Sequence, residues 1–491
     1  MRLLFVLRHA MYLRIFESTI RELLERGHQV EVGCVLPDGR TPAVLERLAA
    51  EYSGCTYRPL AGREDVWKPL LLLLRHGTDY LRYLDPQYAG APKLAARARG
   101  NLPPGFGAVL RALAALHPRG WRGAGVWLRG VERLIPPDSG ILRAIQASKP
   151  DIVAVSPLVD PSSDEVEYVK AAQALGLPTV YCVASWDNLT NKGLVQVEAD
   201  RVTVWNEFMR REAIEMHGLR ADRIVVTGAP LFDHWFTLRP ARSRGQFLDQ
   251  VGLPVRPTTI LYLCSSGFIA ANEVEFVRRW LASIRSSSSA RLREAAILIR
   301  PHPANTAQWQ QADFADEGVT VWPRAGAHPL DDQTKADYFD SMYHSDLVVG
   351  LNTSGLIEAG IVGKPVFTVL DPAFADTQGG TLHFHYLVEQ GLLSVAADLS
   401  QHLGQVADTL ESGDRDRASR SKFLEAFVRP QGLARPSSPL LASAIEAASA
   451  IPERVAVTPS RPRRVLRLAL APVAWACSAA YFLREAGRTV R

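Results

Sequence analysis

Cysteine is scarce in this chain of 491 residues: Cys34, Cys55, Cys182, Cys264 and Cys477, with no pair at CxxC spacing. That excludes a disulfide-stapled scaffold and a structural zinc site, and it suits a reducing compartment. No stripe of Lys and Arg with interleaved aromatics occurs, which sets nucleic acid aside as a partner. No DxD-like acidic motif follows an apolar strand, so no bound metal is expected. No short-period repeat is present, which excludes a solenoid. Long apolar runs are missing too. Leu3 to Leu7 ends at Arg8 and His9, too soon for a secretory signal. Leu70 to Leu74, and Leu468 to Leu483 in the tail, fall short of the ~20 residues that cross hydrocarbon. The expected location is the cytoplasm.

The composition is that of an ordinary globular protein, with 47% hydrophobic and 22% charged residues. A net charge of +5 is mild, and is compatible with a basic patch that meets phosphates or an anionic membrane face. RLLFVL (2–7) reads as a buried strand. The helical spacing of Phe16, Ile20, Leu23 and Leu24, a stop at Gly27 and a second apolar run complete a βαβ unit, and hence a parallel sheet. Residues 60–145, rich in Leu, Arg, Gly and Pro, read as helices inserted in the first domain. The α/β rhythm returns at 149–157 and runs to Gly228-Ala229-Pro230. Pro and Arg then accumulate at 237–246, a domain boundary. The rhythm restarts at TTILYLCSSG (258–267) and continues through AAILIRPHP (295–303), VTVWP (319–323), LVVGL (347–351) and PVFTVL (365–370). The expected layout is a domain at 1–238, a second at 239–450, and a basic, apolar tail at 451–491. Residues 409–425 and 431–439 read as charged or Pro-rich connection.

In doubly wound sheets, ligands bind beyond the carboxyl ends of the strands. Four such exits, in the second domain or on its border, carry ligand-capable residues: Ser265-Ser266-Gly267; Arg300-Pro301-His302-Pro303; Asn352-Thr353-Ser354-Gly355, with Glu358 one helical turn on; and Gly228-Ala229-Pro230 on the border. Small residues admit a ligand close to the backbone, and a helix N-terminus offers N–H groups and a dipole to phosphate. Arg300 and His302 add charge-assisted bonds. Glu358 sits too deep for phosphate and suits a sugar hydroxyl. The bland alternatives are an ordinary N-cap at 353–354, a rigid turn at 300–303 and a plain loop at 265–267. In the first domain ASWDNLTNKG (184–193) concentrates Asp187, Asn188 and Lys192 after a strand. Asp187 is the first candidate for general base, with His9 and Glu17 as rivals, and Lys192 for an anion. The alternative is an Asx-turn network that caps the loop.

These segments together resemble the GT-B superfamily of nucleotide-sugar-dependent glycosyltransferases. RIFESTIRELLERGHQVEV (14–32) is similar to the opening of many of its chains, and YHSDLVVGLNTSGLIEAGIVGKPVFTV (343–369) to its donor segment. ILIRPHP with NTSG also resembles the CDP-glycerol glycerophosphotransferases and bacterial sialic-acid and Kdo transferases. The resemblance implies two Rossmann-like doubly wound domains that face a central cleft. It implies donor contacts at His302, Thr353, Ser354 and Glu358, and it implies no metal or other cofactor. The Arg8-His9-Ala10-Met11 loop departs from the Gly-rich pattern. The implied partners are a nucleotide-activated donor and a glycan or lipid-linked acceptor. A nucleotide-sugar epimerase of the UDP-GlcNAc 2-epimerase type and a non-catalytic binding protein remain the alternatives. The tail, RPRRVLRLALAPVAWACSAAYFLREAGR (461–488), reads as a helix lying on an anionic membrane surface, or else as one packed on the protein.

Overall fold

The computed structural model describes residues 1–36, 43–329, 331–451 and 461–489. Two compact units make up the chain, Met1–Leu231 with Arg429–Arg491, and Phe232–Val428. The divisions thus fall at 231/232 and 428/429 rather than near 238 and 450.

The first unit holds seven parallel strands: β1 (Arg2–Leu7), β2 (Gln29–Cys34), β3 (Cys55–Pro59), β4 (Ile152–Ser156), β5 (Thr179–Cys182), β6 (Arg201–Val204) and β7 (Ile224–Val226). Their order is β3-β2-β1-β4-β5-β6-β7. The winding reverses between β1 and β4, where Leu7 pairs with Ser156. Leu3 to Leu7 are fully buried, because helices cover both faces of a parallel sheet. The first crossover helix, Leu13–Glu25, buries Phe16, Ile20, Leu23 and Leu24 and ends before Gly27, whose φ of +81° suits glycine. It begins one turn before the apolar spacing would start it. The helix Ser437–Ser449 lays Leu441, Ala442 and Ile445 into the same core, so the chain's end belongs to this unit. Glu446 fastens it, bridging Arg26 and His28 at 2.7 Å each.

Between β3 and β4 lies the expected helical insertion: Lys68–Arg82, Pro92–Gly100, Phe106–Leu116 and Gly120–Glu132. It has a core of its own around Leu71, Leu74, Leu81, Leu110 and Leu128. A buried charge network anchors it to the sheet. Glu167, on the helix Glu165–Ala174, pairs with both Arg63 and Arg75, and Arg75 also meets Glu132 at 2.8 Å. Burial alone would raise the Glu167 carboxyl, but Arg75, Lys170 and Arg63 outweigh it and hold it at about 2.

The second unit holds β8 (Thr259–Leu263), β9 (Ala296–Arg300), β10 (Val319–Val321), β11 (Leu347–Gly350), β12 (Val366–Val369) and β13 (Ser394–Ala396). These too are parallel, ordered β10-β9-β8-β11-β12-β13, with the reversal between β8 and β11. The stretch 409–425 is not loose connection: it lies largely within the helices Leu399–Ser412 and Arg417–Phe427. Apart from the buried Arg420, their charges occupy outer faces while Val406, Phe423 and Phe427 pack inward, a narrow apolar stripe easily lost among polar residues. Residues 431–436 do form a connection of turns, which leads into the helix Ser437–Ser449.

Replacing Glu167 by Gln leaves two buried guanidinium groups short of charge. The expected loss is about 3–5 kcal/mol of first-unit stability, read by denaturant unfolding. The folded carboxyl lies below its ordinary value, so its contribution is present above about pH 4.5 and lost as pH falls towards 2. Wild type should therefore show an acid-induced loss across that window which the variant lacks.

Candidate functional site

In the second unit, three strand ends lie at one level, since Arg300 pairs with Leu263 and Leu263 with Gly350. The loops at 264–270, 301–305 and 351–355 therefore leave the sheet side by side at the winding reversal, where doubly wound sheets receive ligands. The 264–270 loop is tightly fastened. Glu273 accepts from the Ser265 N–H at 2.8 Å and from the Tyr262 hydroxyl at 3.1 Å. Asn305 donates to the carbonyls of Ser265 and Ala270, both at 3.0 Å. Asn352 spends its amide on the Thr377 carbonyl (2.8 Å) and the Thr381 hydroxyl (3.1 Å), and its N–H reaches the Ser265 hydroxyl at 3.5 Å. Ser265 and Asn352 are thus buried fastenings that join two of the loops. Ser266, Thr353 and Ser354 are more open.

Ser354 occupies the N-cap position of the helix Gly355–Ile361, yet its side chain makes no capping bond and its backbone is already helical. The bland reading of this hydroxyl as an N-cap therefore fails. The helix has only seven residues, so its dipole is slight, and the positive field expected here must come from side chains. Gly355 is needed for space. A Cβ there would lie 2.7 Å from the Tyr338 hydroxyl and 2.9 Å from Leu263. Tyr338 donates to Glu358 at 2.7 Å, placing that carboxylate at the edge of the cluster.

Arg300 is the main source of positive charge. It is 4% exposed, donates to Ser341 at 2.9 Å, and lies between the rings of Trp322 and Tyr338 at 5.2 and 4.9 Å. Among the described residues no carboxylate forms an ion pair with it, and its Nη2 has no hydrogen-bond partner. Burial lowers the guanidinium to about 10, so it stays charged at neutral pH. His302 is half-buried beside it in the chain. Its Nδ1 accepts from the Ala304 N–H at 3.1 Å, which places the proton of the neutral ring on Nε2. Trp322, Tyr338, Asn305 and Glu273 were not among the expected site residues. Trp322 follows β10 directly, and the strand-exit rule that picked Arg300 would have found it. Tyr338 lies inside a helix and left no such signal. The pair Asp331-Asp332 is part of a capping arrangement, with Asp331 accepting from the Thr334 N–H at 2.7 Å.

In the first unit the exits of β1, β4 and β5 bring together His9, Tyr12, Asp160, Glu165 and Asp187. Arg8 pairs with Asp160, and the His9 and Tyr12 rings lie 4.8 Å apart. Burial raises the Tyr12 hydroxyl, and nearby Asp187, Glu165 and Asp160 push it further. Asp187 is half-buried and faces Lys192 at 3.6 Å. Asn188 does what the Asx-turn reading foresaw, accepting from the N–H groups of Ala184 and Ser185 at 3.2 Å. Glu17 is half-buried on the first crossover helix. The insertion grips this loop: Arg82 donates to the Lys192 carbonyl, Arg97 to that of Asn191, and Asp79 accepts from the Leu194 N–H at 3.1 Å. Glu165 escaped the sequence reading. It is fully buried, takes a bond from Ser163, and leaves Oε1 without a partner. Burial raises its carboxyl to about 8, so at neutral pH it is mostly protonated.

No protein-family model and no curated protein matches the chain. Solved structures do match over nearly its whole length. The UDP-GlcNAc 2-epimerase from Methanocaldococcus jannaschii aligns with 11% identity and a TM-score of 0.52, covering 91% of this chain and 99% of its own. The UDP-GlcNAc 2-epimerase from Neisseria meningitidis, solved bound to UDP-GlcNAc, aligns with 12% identity and a TM-score of 0.50, covering 91% and 100%. A glycosyltransferase from Rickettsia africae aligns with 10% identity and a TM-score of 0.49, covering 91% and 97%. At such identities the likeness is one of fold. Two Rossmann-like α/β units in one chain, each wound about a reversal, make this a GT-B fold.

Glu165 provides a check on the first-unit cluster. Its folded value lies above its ordinary one, so the stability it contributes is complete below about pH 4.5 and is lost as pH rises through about 8. Glu165→Gln should flatten that loss, leaving the variant more stable than wild type at pH 9 by on the order of a few kcal/mol. Thermal unfolding between pH 5 and 9 reads the crossing of the two curves, and parallel curves would remove Glu165 from this description.

Proposed function

We propose that the protein is a GT-B glycosyltransferase. It moves a sugar, or a polyol phosphate, from a nucleotide-activated donor to a hydroxyl of a glycan or lipid-linked acceptor, in the building of surface polysaccharide or glycolipid. One observation carries the reading: a buried guanidinium that forms no ion pair with a carboxylate among the described residues, Arg300, stands at the ligand-receiving edge of a Rossmann-like sheet. A buried cation without a counter-charge is costly, and an anionic ligand would supply it. The uncapped Ser354, with Thr353 and Ser266, lies at the same edge and would take the remaining phosphate oxygens.

In this mechanism Asp187 accepts the proton of the acceptor hydroxyl. The acceptor oxygen then attacks the anomeric carbon, or the phosphorus of a polyol phosphate. The bond to the nucleotide phosphate breaks, and the electron pair leaves with that phosphate. Arg300 and the Nε2 proton of His302 stabilise the charge that develops there. Fixed side-chain cations serve the leaving group, so the reaction is expected to need no metal. Glu358, held by Tyr338, suits a hydroxyl of the ribose or the sugar. Protonated Glu165 is a donor rather than a base at neutral pH.

The second reading is an epimerase. It is favoured by the solved UDP-GlcNAc 2-epimerases that share the fold, and by Glu165, a protonated carboxyl near Asp187. The two readings separate in one assay. A transferase releases nucleotide only when acceptor is present, whereas an epimerase interconverts free UDP-GlcNAc without one.

The donor assignment is tested by thermal shift with CMP, CDP, UDP, GDP and dTDP. At least one should stabilise the protein, and Arg300→Met should weaken that ligand about 10–100-fold. Undiminished affinity would reject the Arg300 site. In turnover assays Asp187→Asn should lose about 10²–10⁴-fold in kcat while nucleotide binding is kept; His302→Ala should lose rate as well. EDTA should leave the rate unchanged.

A further inference from the structure

We propose that the helical insertion and the C-terminal helix together form one docking lobe for an anionic lipid bilayer. The proposal concerns where the protein acts and is independent of the chemistry at the sheet edges.

Eleven of the fifteen exposed large apolar side chains among the described residues fall in two segments of the first unit, 106–132 and 465–481. Those segments are neighbours in space. The C-terminal helix Arg461–Thr489 packs against Lys68–Arg82, and Ala474 enters the core shared by Leu110 and Leu128. This helix has two differently used faces. Arg467, Leu470, Ala471, Ala474, Cys477 and Ser478 recur at helical spacing and are wholly or partly covered. Leu468 and Trp475 stand outside that stripe, 74% and 67% exposed. The tail therefore packs on the protein and still presents an apolar surface outward.

The insertion does the same. Phe106–Leu116 buries Leu110 and Ala114 and leaves Leu113 and Leu116 exposed, while Gly120–Glu132 buries Ala124 and Leu128 and exposes Trp127. Exposed leucines alone do not say what covers them; the charge does. Between 92 and 133 the sequence has eight Lys and Arg against one acidic residue, Glu132, which is buried on Arg75. Between 461 and 491 it has seven Arg against Glu485 alone. The chain as a whole is only +5, so these two segments of the sequence concentrate its positive charge. Outward apolar and tryptophan side chains in cation-rich segments match an anionic bilayer: acyl chains for Leu and Trp, head groups for Arg. None of the described helices is long and apolar enough to cross a membrane, so the lobe lies on the surface.

The test is co-sedimentation of the full chain with vesicles of phosphatidylcholine alone, and of phosphatidylcholine with phosphatidylglycerol. Binding should favour the anionic vesicles strongly and weaken as salt rises. Leu116→Asp with Trp127→Asp, and separately Trp475→Asp, should each lower partitioning about tenfold. Arg119→Glu with Arg122→Glu should cost about fivefold or more per charge. All these positions are on the surface, so melting temperature and nucleotide thermal shift should be unchanged. That separates a failure here from a failure of the donor site. Equal binding to both vesicle types, no binding, or tighter binding to duplex DNA than to vesicles would overturn the proposal. So would loss of binding with Trp475→Asp but none with the insertion variants, which would reduce the lobe to its tail.

Discussion

A single buried carboxylate organises the first unit. Glu167 takes its place on the sheet-covering helix and holds Arg63 and Arg75 at once. Removing three charges from water is expensive, and mutual attraction offsets that cost only when each partner is fully bonded. The arrangement is therefore specific: Arg75 has to meet Glu132 and Glu167 together, which fixes the helix Lys68–Arg82 in both rotation and height. The same helix carries Asp79 and Arg82, which hold the backbone at Leu194 and Lys192. The position of Asp187 on its loop thus traces back to an ion network centred on Glu167.

Arg300 in the second unit is the counterpart by contrast. Both Arg75 and Arg300 are buried guanidinium groups. Arg75 faces two carboxylates and is complete, whereas Arg300 has ring faces, one hydroxyl and a weak contact with the Asp337 carbonyl. The rings of Trp322 and Tyr338 give partial compensation through their negative faces. A cation balanced by the fold is structural; on the reading proposed above, one held short of balance at a strand exit awaits an anion from outside.

Much of this was legible in the sequence. Buried parallel strands announce themselves as short apolar runs, and RLLFVL, AILIR and LVVG lie where those runs predict. The rule that ligands gather beyond strand ends selected Arg300, His302 and Ser354 without any view of the sheet order. What stayed hidden depends on distance in space. Ser265 and Asn352 look like ligand groups, and only their bonds to Glu273, Asn305, Thr377 and Thr381 show that they brace the loops. Tyr338 and Glu165 have ordinary neighbours in sequence; their roles come from partners, or a missing partner, far along the chain. The helices after 399 were obscured because their apolar stripes are narrow and their outer faces crowded with charge.

Transferase and epimerase chemistry make similar demands on the first-unit edge. Both require a base beside a proton donor, and burial has pushed Glu165 up while Asp187 stays near Lys192 in a wetter setting. That pair of environments could handle a proton on an acceptor oxygen or one on a sugar carbon. The catalytic groups alone therefore do not separate the two reactions, and the distinction has to come from what else the fold builds. An epimerase works on a small soluble ligand and has no use for a cationic, apolar lobe. Here the insertion and the C-terminal helix present such a surface, and the insertion also grips the loop bearing Asp187. On the readings proposed above the two features are complementary: Arg300 speaks for an anionic donor, and the lobe for an acceptor hydroxyl lodged at a lipid face.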